Sequence, residues 1–556
     1  MEHHTKHRGL FLAATVPALL VLAPVLGLAV LALRGDGALW PHIASYVLPD
    51  ALRQTAMLLV GTGVLAAVAG VGTAWLVTGF SFPGRGWLEW ALLLPLAVPT
   101  YIVAYSYMDV LHPIGPVQTA LRAILGIAEV RGLVLPDVRS MGGTILVMGF
   151  ALYPYVYLSA RAALLMQPAE AIEAARGLGA SGGVLLRRVT LPIAAPAIGV
   201  GLGLVMMEVL ADIGASEFLG VRTLTVAVYV TWTTRGSVEG AAQIALAMLA
   251  LTFAVLAFER MQSRLRDKSG GGERMPLRVT LTGGMAALAA LGCAVPLLLG
   301  FVVPSTHLIV NAAIRVAEFG LPPQLAAWIW NSALFAAMAT VVTVAAGFLI
   351  AFCHRHLGGM ATLVVMRVSA LGYALPGTVL AVGFLGPMAW FDDVVAAVTE
   401  VAGVVLPSLS GSAAALVLAY AVRFLAIPVN TLESAYGRIP ATVDDAARGL
   451  GAGDRALALR VHMPLLTPAA AAAALLVLIE CMKELPATLL LRPLNVETLA
   501  TSIYAEASRG TYEDGAVAAL AIVLVGLAPV IVLVRSARGQ ARAGRRADAS
   551  GVLAPG

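Results

Sequence analysis

An all-α polytopic membrane fold is what this sequence predicts, with about 12 transmembrane helices in two parallel, pseudo-twofold repeats. Three observations carry the prediction. Of the 556 residues, 60% are hydrophobic and 12% charged, and the mean hydropathy is +0.89, which excludes the ordinary soluble classes. Apolar runs of about 20 residues, long enough for a bilayer core of about 30 Å, recur along the chain. One polar stretch occurs twice, as EAARGLGASGGVLLRRVTLP at 173–192 and DAARGLGAGDRALALRVHMP at 445–464.

The apolar runs fall at 9–33, 54–78, 88–110, 141–165, 193–213, 240–259, 279–303, 329–353, 363–388, 411–433, 465–485 and 515–534. A helix satisfies its own backbone hydrogen bonds in lipid, and the alternating pattern of a membrane barrel is absent, so each run reads as a helix. MEHHTKHR is a basic lead-in to the first run, but that run is longer than a signal core and a similar span opens the second half at 279–303. It reads as a retained helix. With a cytoplasmic N-terminus, 24 of the 36 Lys and Arg residues fall on cytoplasmic segments. The positive-inside rule thus puts both termini and both polar loops in the cytoplasm of a bacterial inner-membrane protein. The net charge of +5 follows from these loops and is no nucleic-acid signal. Cys293, Cys353 and Cys481 lack paired spacing and read as small buried residues. His42, His112 and His307 fall in or near predicted periplasmic loops without ligand spacing.

The repeat extends beyond the polar loop. Residues 168–196 align with 440–468 at an offset of 272 without a gap, with 14 identities in 29 positions. Downstream, TLTVAVYVTWTTRGSVEGA (223–241) pairs with TLATSIYAEASRGTYEDGA (498–516), and upstream Pro99 pairs with Pro376. The expected organisation is a first half at 1–263 with its loop at 169–192, a Gly-rich cytoplasmic linker at 264–278, and a second half at 279–536 with its loop at 441–464. A basic, disordered tail at 537–556 is expected to follow. Six spans per half give both halves one orientation, with a path between them, which suggests transport.

Each loop, between the fourth and fifth span of its half, reads as a short helix weakened or ended by glycine, with Pro192 opening the next membrane helix. Two such helices facing one compartment suit a pair of identical soluble subunits. The residues here resemble a known family. Glu173-Ala174-Ala175, Gly179, Val189 and Leu191-Pro192 have the spacing of the EAA loop of permease subunits in binding-protein-dependent ABC importers. Asp445-Ala446-Ala447, Gly451, Val461 and Met463-Pro464 repeat it, with Asp for Glu and Met for Leu. The resemblance implies a type I importer permease in which Glu173, Ala174, Ala175, Gly179 and Pro192, with Asp445, Ala446, Ala447, Gly451 and Pro464, form coupling helices. Their implied partners are two copies of an ABC ATPase and, outside, a periplasmic substrate-binding protein. None of the three lysines, Lys6, Lys268 and Lys483, follows a glycine, so the chain has no phosphate-cradling G-x-x-x-x-G-K-[ST] motif. It is expected to be no enzyme and to bind no cofactor, with ATP used by its partners. An ion-driven secondary transporter and a non-transport scaffold are the rivals.

AYSYMDVLHPIGPVQTALRA (104–123), YPYVYLSARAAL (153–164), MMEVLADIGASEFLGVRTLT (206–225) and CMKELPATLLLRP (481–493) resemble the fused-permease branch associated with ferric iron uptake. Related permeases serve thiamine, polyamines, sulfate and phosphonates. Glu208 and Asp212 share one helix face, and Glu480 and Glu484 repeat them at the offset of 272. Counted from Pro192, the first pair lies roughly 24 and 30 Å up the fifth helix, near the periplasmic mouth of the path. Hard carboxylate oxygens suit a hard cation and disfavour sulfate or phosphonate. Salt bridges to Lys483, Arg222 or Arg492 are the plainer role for these acids, and contact with a docked binding protein is a third. Tyr101 and Tyr105, four apart, line the path or anchor the membrane interface.

Overall fold

The computed structural model describes residues 2–551 except 128, 130, 131, 134, 168–172, 176, 269–277 and 403–406, and side chains at 2–7, 266–268, 402 and 533–551 also lie outside the described set. In chain order the long helices are α1 (Glu2–Arg34), α2 (Trp40–Gly79), α3 (Thr100–Val110), α4 (Met141–Leu165), α5 (Gly182–Ala211) and α6 (Val238–Lys268). The second series is α7 (Gly283–Phe319), α8 (Leu325–Leu357), α9 (Gly377–Ala402), α10 (Ala413–Phe424), α11 (Asp454–Met482) and α12 (Tyr512–Gly551). Ten of these are long and apolar enough to cross a membrane. Two bent pairs, Arg85–Ala97 with α3 (92°) and α10 with Ala426–Tyr436 (43°), bring the described spans to as many as 12.

Several expected boundaries move, each for a reason in the backbone. The runs at 88–110 and 363–388 are broken, because a residue before proline is driven out of the helical region. Val98 (ψ 113°) before Pro99 and Leu375 (ψ 118°) before Pro376 are both extended, so each third span is two helices meeting at a proline. The fifth and eleventh spans start earlier than the expected 193 and 465, at Gly182 and Asp454. A π turn, Leu186–Thr190 or Leu457–His462, lies just ahead of Pro192 or Pro464 and lets the helix run through it. Two further π turns, Ile43–Val47 and Leu298–Val302, stand ahead of Pro49 and Pro304 in the same way. The expected linker at 264–278 loses its first five residues to α6, and the tail expected to be disordered from 537 continues α12 to Gly551. At the far end of the linker, Val279–Thr280 pairs in parallel with Phe80–Ser81 and straps the second half to the first.

The repeat is visible in the caps. Ser140 accepts from the Gly143 amide and Ser412, 272 residues on, from the Ala415 amide; Thr223 and Thr498 cap their helices alike. The sequence halves are nevertheless not spatial halves. One buried apolar cluster joins α2–α5 to α7 and α12, and the other joins α1 and α6 to α8–α11. The first helix of each half therefore packs on the other half. Close approach needs small residues, since lipid gives no hydrophobic drive between helices. A Cβ on Gly27 of α1 would stand 2.2 Å from the Gly383 carbonyl oxygen of α9, and one on Gly383 would stand 2.1 Å from that of Pro24.

Candidate functional site

At the level of the broken third spans lies a cavity of about 120 Å³, walled by both halves. Its lining includes Pro99, Tyr101, Tyr155, Glu208 and Asp212 from the first half, with Pro376, Tyr373, Arg423, Glu480, Lys483 and Glu484 from the second. The four acids expected from the repeat thus meet at one place. Four carboxylates against two cations leave a formal excess of two negative charges on its walls.

The acids divide into two kinds. Asp212 ends α5, and its Oδ1 accepts the Ser216 amide (3.0 Å) while its Oδ2 accepts the Thr100 hydroxyl (2.6 Å). Glu484 stands in the same place after α11. Its Oε1 accepts the Ala487 amide (3.0 Å), and its Oε2 the Thr488 amide (3.0 Å) and hydroxyl (2.8 Å). Both carboxylates satisfy orphan amides at the start of the short helices Gly214–Phe218 and Pro486–Leu491, which turn the chain back at the cavity. Glu208 and Glu480 lie one turn earlier. Glu208 accepts a long bond from the Tyr155 hydroxyl (3.4 Å), and Glu480 pairs with Lys483 (2.8 Å).

The cations come from one half alone. Arg423 pairs with Glu484 (3.3 Å), and Gly377 makes room for it: a Cβ there would stand 2.3 Å from the guanidinium. Thr100, beside Pro99 as Gly377 is beside Pro376, supplies a hydroxyl to Asp212 instead. At the offset of 272, Arg423 and Lys483 correspond to Ala151 and Ala211. Of the expected partners, Lys483 is confirmed. Arg222 and Arg492 are not: Arg492 pairs with Glu497 (2.6 Å), and the Arg222 backbone amide bonds to Gln54. Arg423 is missed by sequence reasoning, because its only signal is an unmatched charge in an apolar run. Tyr101 reaches the cavity, 4% exposed, and its hydroxyl has no hydrogen-bond partner. Tyr105 does not join it; it is buried against α12 and donates to the Tyr512 carbonyl. His307 lies within α7 and not in a loop, 2.7 Å from Asp109.

The repeated polar loops share one geometry. Glu173, Ala174 and Ala175 are helical, although 168–172 and Arg176 lie outside the described residues, and the second copy is the helix Ala441–Gly449. Amide bonds from Leu178 to Ala174 and Ala180 to Ala175 recur as Leu450 to Ala446 and Ala452 to Ala447. Gly179 and Gly451 then take left-handed φ of 81° and 82°, a conformation glycine alone adopts without strain. Leu178 and Leu450 are left 89% and 90% exposed. Asp445 is exposed, whereas its neighbour Asp444 anchors the second helix, bonded to Arg355 (2.9 Å) and His462 (2.9 Å). Burial acts to raise the Asp444 pKa, but bonds from His462 and Arg355 outweigh it and hold the carboxyl below its usual range. Thr190 stands at the place of His462 in the first copy, so that anchor is not repeated.

Two interlocked repeats around a shared polar cavity define a multi-pass membrane permease. Residues 62–267 match the family model described as binding-protein-dependent transport system inner membrane component. The chain is 23% identical over 497 residues to the Fe(3+)-transport system permease protein FbpB 2 of Haemophilus influenzae, covering 87% of this chain and 89% of that protein. It is 28% identical over 235 residues to the molybdenum transport system permease protein ModB of Escherichia coli (40% of this chain, 99% of that one). To the sulfate transport system permease protein CysW of the same species it is 31% identical over 203 residues (36% and 66%). The first half of the chain thus carries the domain of binding-protein-dependent importer permeases, and the similarity to an importer permease extends over most of its length.

Proposed function

We propose that this permease carries ferric iron inward by alternating access, driven by two copies of a separate ATPase and fed by one periplasmic binding protein. The observation that carries the cargo class is the charge of the cavity, where four acids outweigh Arg423 and Lys483. A divalent oxyanion entering it meets a net repulsion that a hard cation does not. The iron-permease relative, similar over nearly the whole chain, supports the same reading.

Both termini and both repeated loops lie in the cytoplasm in this proposal, as the distribution of Lys and Arg favours. The helices carrying Glu173, Ala174, Ala175 and Gly179, and Asp445, Ala446, Ala447 and Gly451, seat in the two ATPase subunits, with Leu178 and Leu450 as apolar contacts. ATP binding draws these helices together and opens the path outward; hydrolysis resets it. The chain itself binds no ATP and no cofactor. Pro192 and Pro464, each just past a π turn, transmit the movement into α5 and α11. Glu208 and Glu480 face the cargo, whereas Asp212 and Glu484 shape the turns that hold them there.

Transport of molybdate or sulfate is the second reading, favoured by the molybdenum and sulfate relatives and by the two cations in the cavity. Uptake of radiolabelled ferric iron, molybdate and sulfate, compared in cells with and without the gene, separates the two. Loss of iron uptake alone is the expected result. Loss of an oxyanion with iron uptake intact overturns the cargo while leaving the importer.

A further inference from the structure

Arg423 and Lys483 break the symmetry of the cavity, and they do so differently. Arg423 is held beside Gly377 against Glu484, whose other bonds are to backbone and Thr488. Lys483 caps α11 on a flexible stem, its ammonium 2.8 Å from Glu480, with both side chains 26% exposed to the cavity. Glu208, from the first half, lines the same cavity. Ala211 stands at the matching place in the first half, so one mobile cation serves two symmetry-related glutamates.

We propose that Lys483 is a tethered counter-cation that keeps the empty path closed, and that a multivalent cation cargo displaces it to engage Glu208, Glu480 and the Tyr101 phenol. This rests on the cation reading above and adds how the site is guarded between cargoes. Tyr101 is independent support: its hydroxyl is buried in the cavity wall without a partner, although buried polar atoms are nearly always bonded. Glu208, with its single 3.4 Å bond, is likewise under-bonded for a carboxylate at membrane depth. Among the described residues no three carboxylate, thiol or imidazole groups come together as a formed metal site. A site whose Glu480 is already occupied by an ammonium has that character. A lysine suits the role because its charge is compact and its stem mobile, and a multivalent ion outcompetes it by charge.

The test is Tb3+, a hard trivalent cation whose luminescence is excited through nearby tyrosines, titrated into the purified full-length chain in detergent. Lys483→Met is expected to bind about tenfold more tightly than the wild type, since a competing charge is removed. Lys483→Arg, which keeps a competing charge, should bind less tightly than Lys483→Met, and Glu208→Gln added to Lys483→Met should abolish the gain. Thermal melting of each variant establishes that it is folded. Binding by Lys483→Met no tighter than wild type, with Glu208→Gln still weakening it, overturns the counter-cation and leaves the cation path standing. Absence of Tb3+ binding in wild type and Lys483→Met alike, both folded, overturns the cation path as well.

Discussion

Glu208 and Asp212 are one helical turn apart and bound the same cavity, yet their oxygens do different things. Asp212 holds a backbone amide and the Thr100 hydroxyl, so Asp212→Ala is expected to lower stability by about 1–2 kcal/mol, the usual cost of losing a cap. Glu208→Gln should leave the melting temperature unchanged while lowering uptake, and Glu208→Gln with Glu480→Gln should lower it further. Melting and uptake measured on the same purified or expressed variants check the contrast; equal effects on both would merge the two roles. The correspondence of Glu208 and Asp212 with Glu480 and Glu484 was legible from the offset of 272. Their division was not, because it depends on where the chain turns after each helix. Arg423 was illegible for a related reason, since only its geometry beside Gly377 separates it from a charge at a membrane boundary.

Among the elements, the repeated loop was legible in outline and misread in extent. Its glycines end a short helix, as expected, and do so in left-handed turns at φ of 81° and 82°, but the helix that follows starts at Gly182 and Asp454, well before the prolines. Proline was read as a helix start, and the π turn that accommodates it mid-helix has no sequence signature beyond the proline itself. A side chain at Gly179 meets no neighbour, so its cost is conformational. Gly179→Ala or Gly179→Asp is expected to reduce ATP-driven uptake about 5- to 30-fold, the factor for ~1–2 kcal/mol of left-handed strain. Membrane insertion should be normal by fractionation. Undiminished uptake in a well-expressed variant would remove the loop from the coupling path.

At the scale of the molecule, a count close to the 10 to 12 described spans and a global repeat followed from hydropathy and internal alignment, because both are properties of local sequence. The exchange of α1 and α7 between halves was not legible: Gly27 and Gly383 look like any glycines in apolar runs until their backbones meet. Gly383→Leu drives a side chain into the Pro24 carbonyl, and overpacking of this kind costs about 1–3 kcal/mol or more. Loss of folded protein on gel filtration is expected, with Gly72→Leu, where a Cβ meets nothing within 4 Å, as the tolerated comparison.

That crossing also sets an order of events during synthesis. The surface that receives Gly27 includes Gly383, so that face of α1 lacks its final neighbour until roughly 350 further residues have been made, although α6 joins α1 earlier. At about 5–20 residues per second that is a wait of roughly 20–70 s, during which the first helix sits in lipid with its small-residue face uncovered. Membrane insertases or chaperones that shield such faces therefore have a defined window in which to act on the nascent chain, and it closes when the ninth span enters the bilayer.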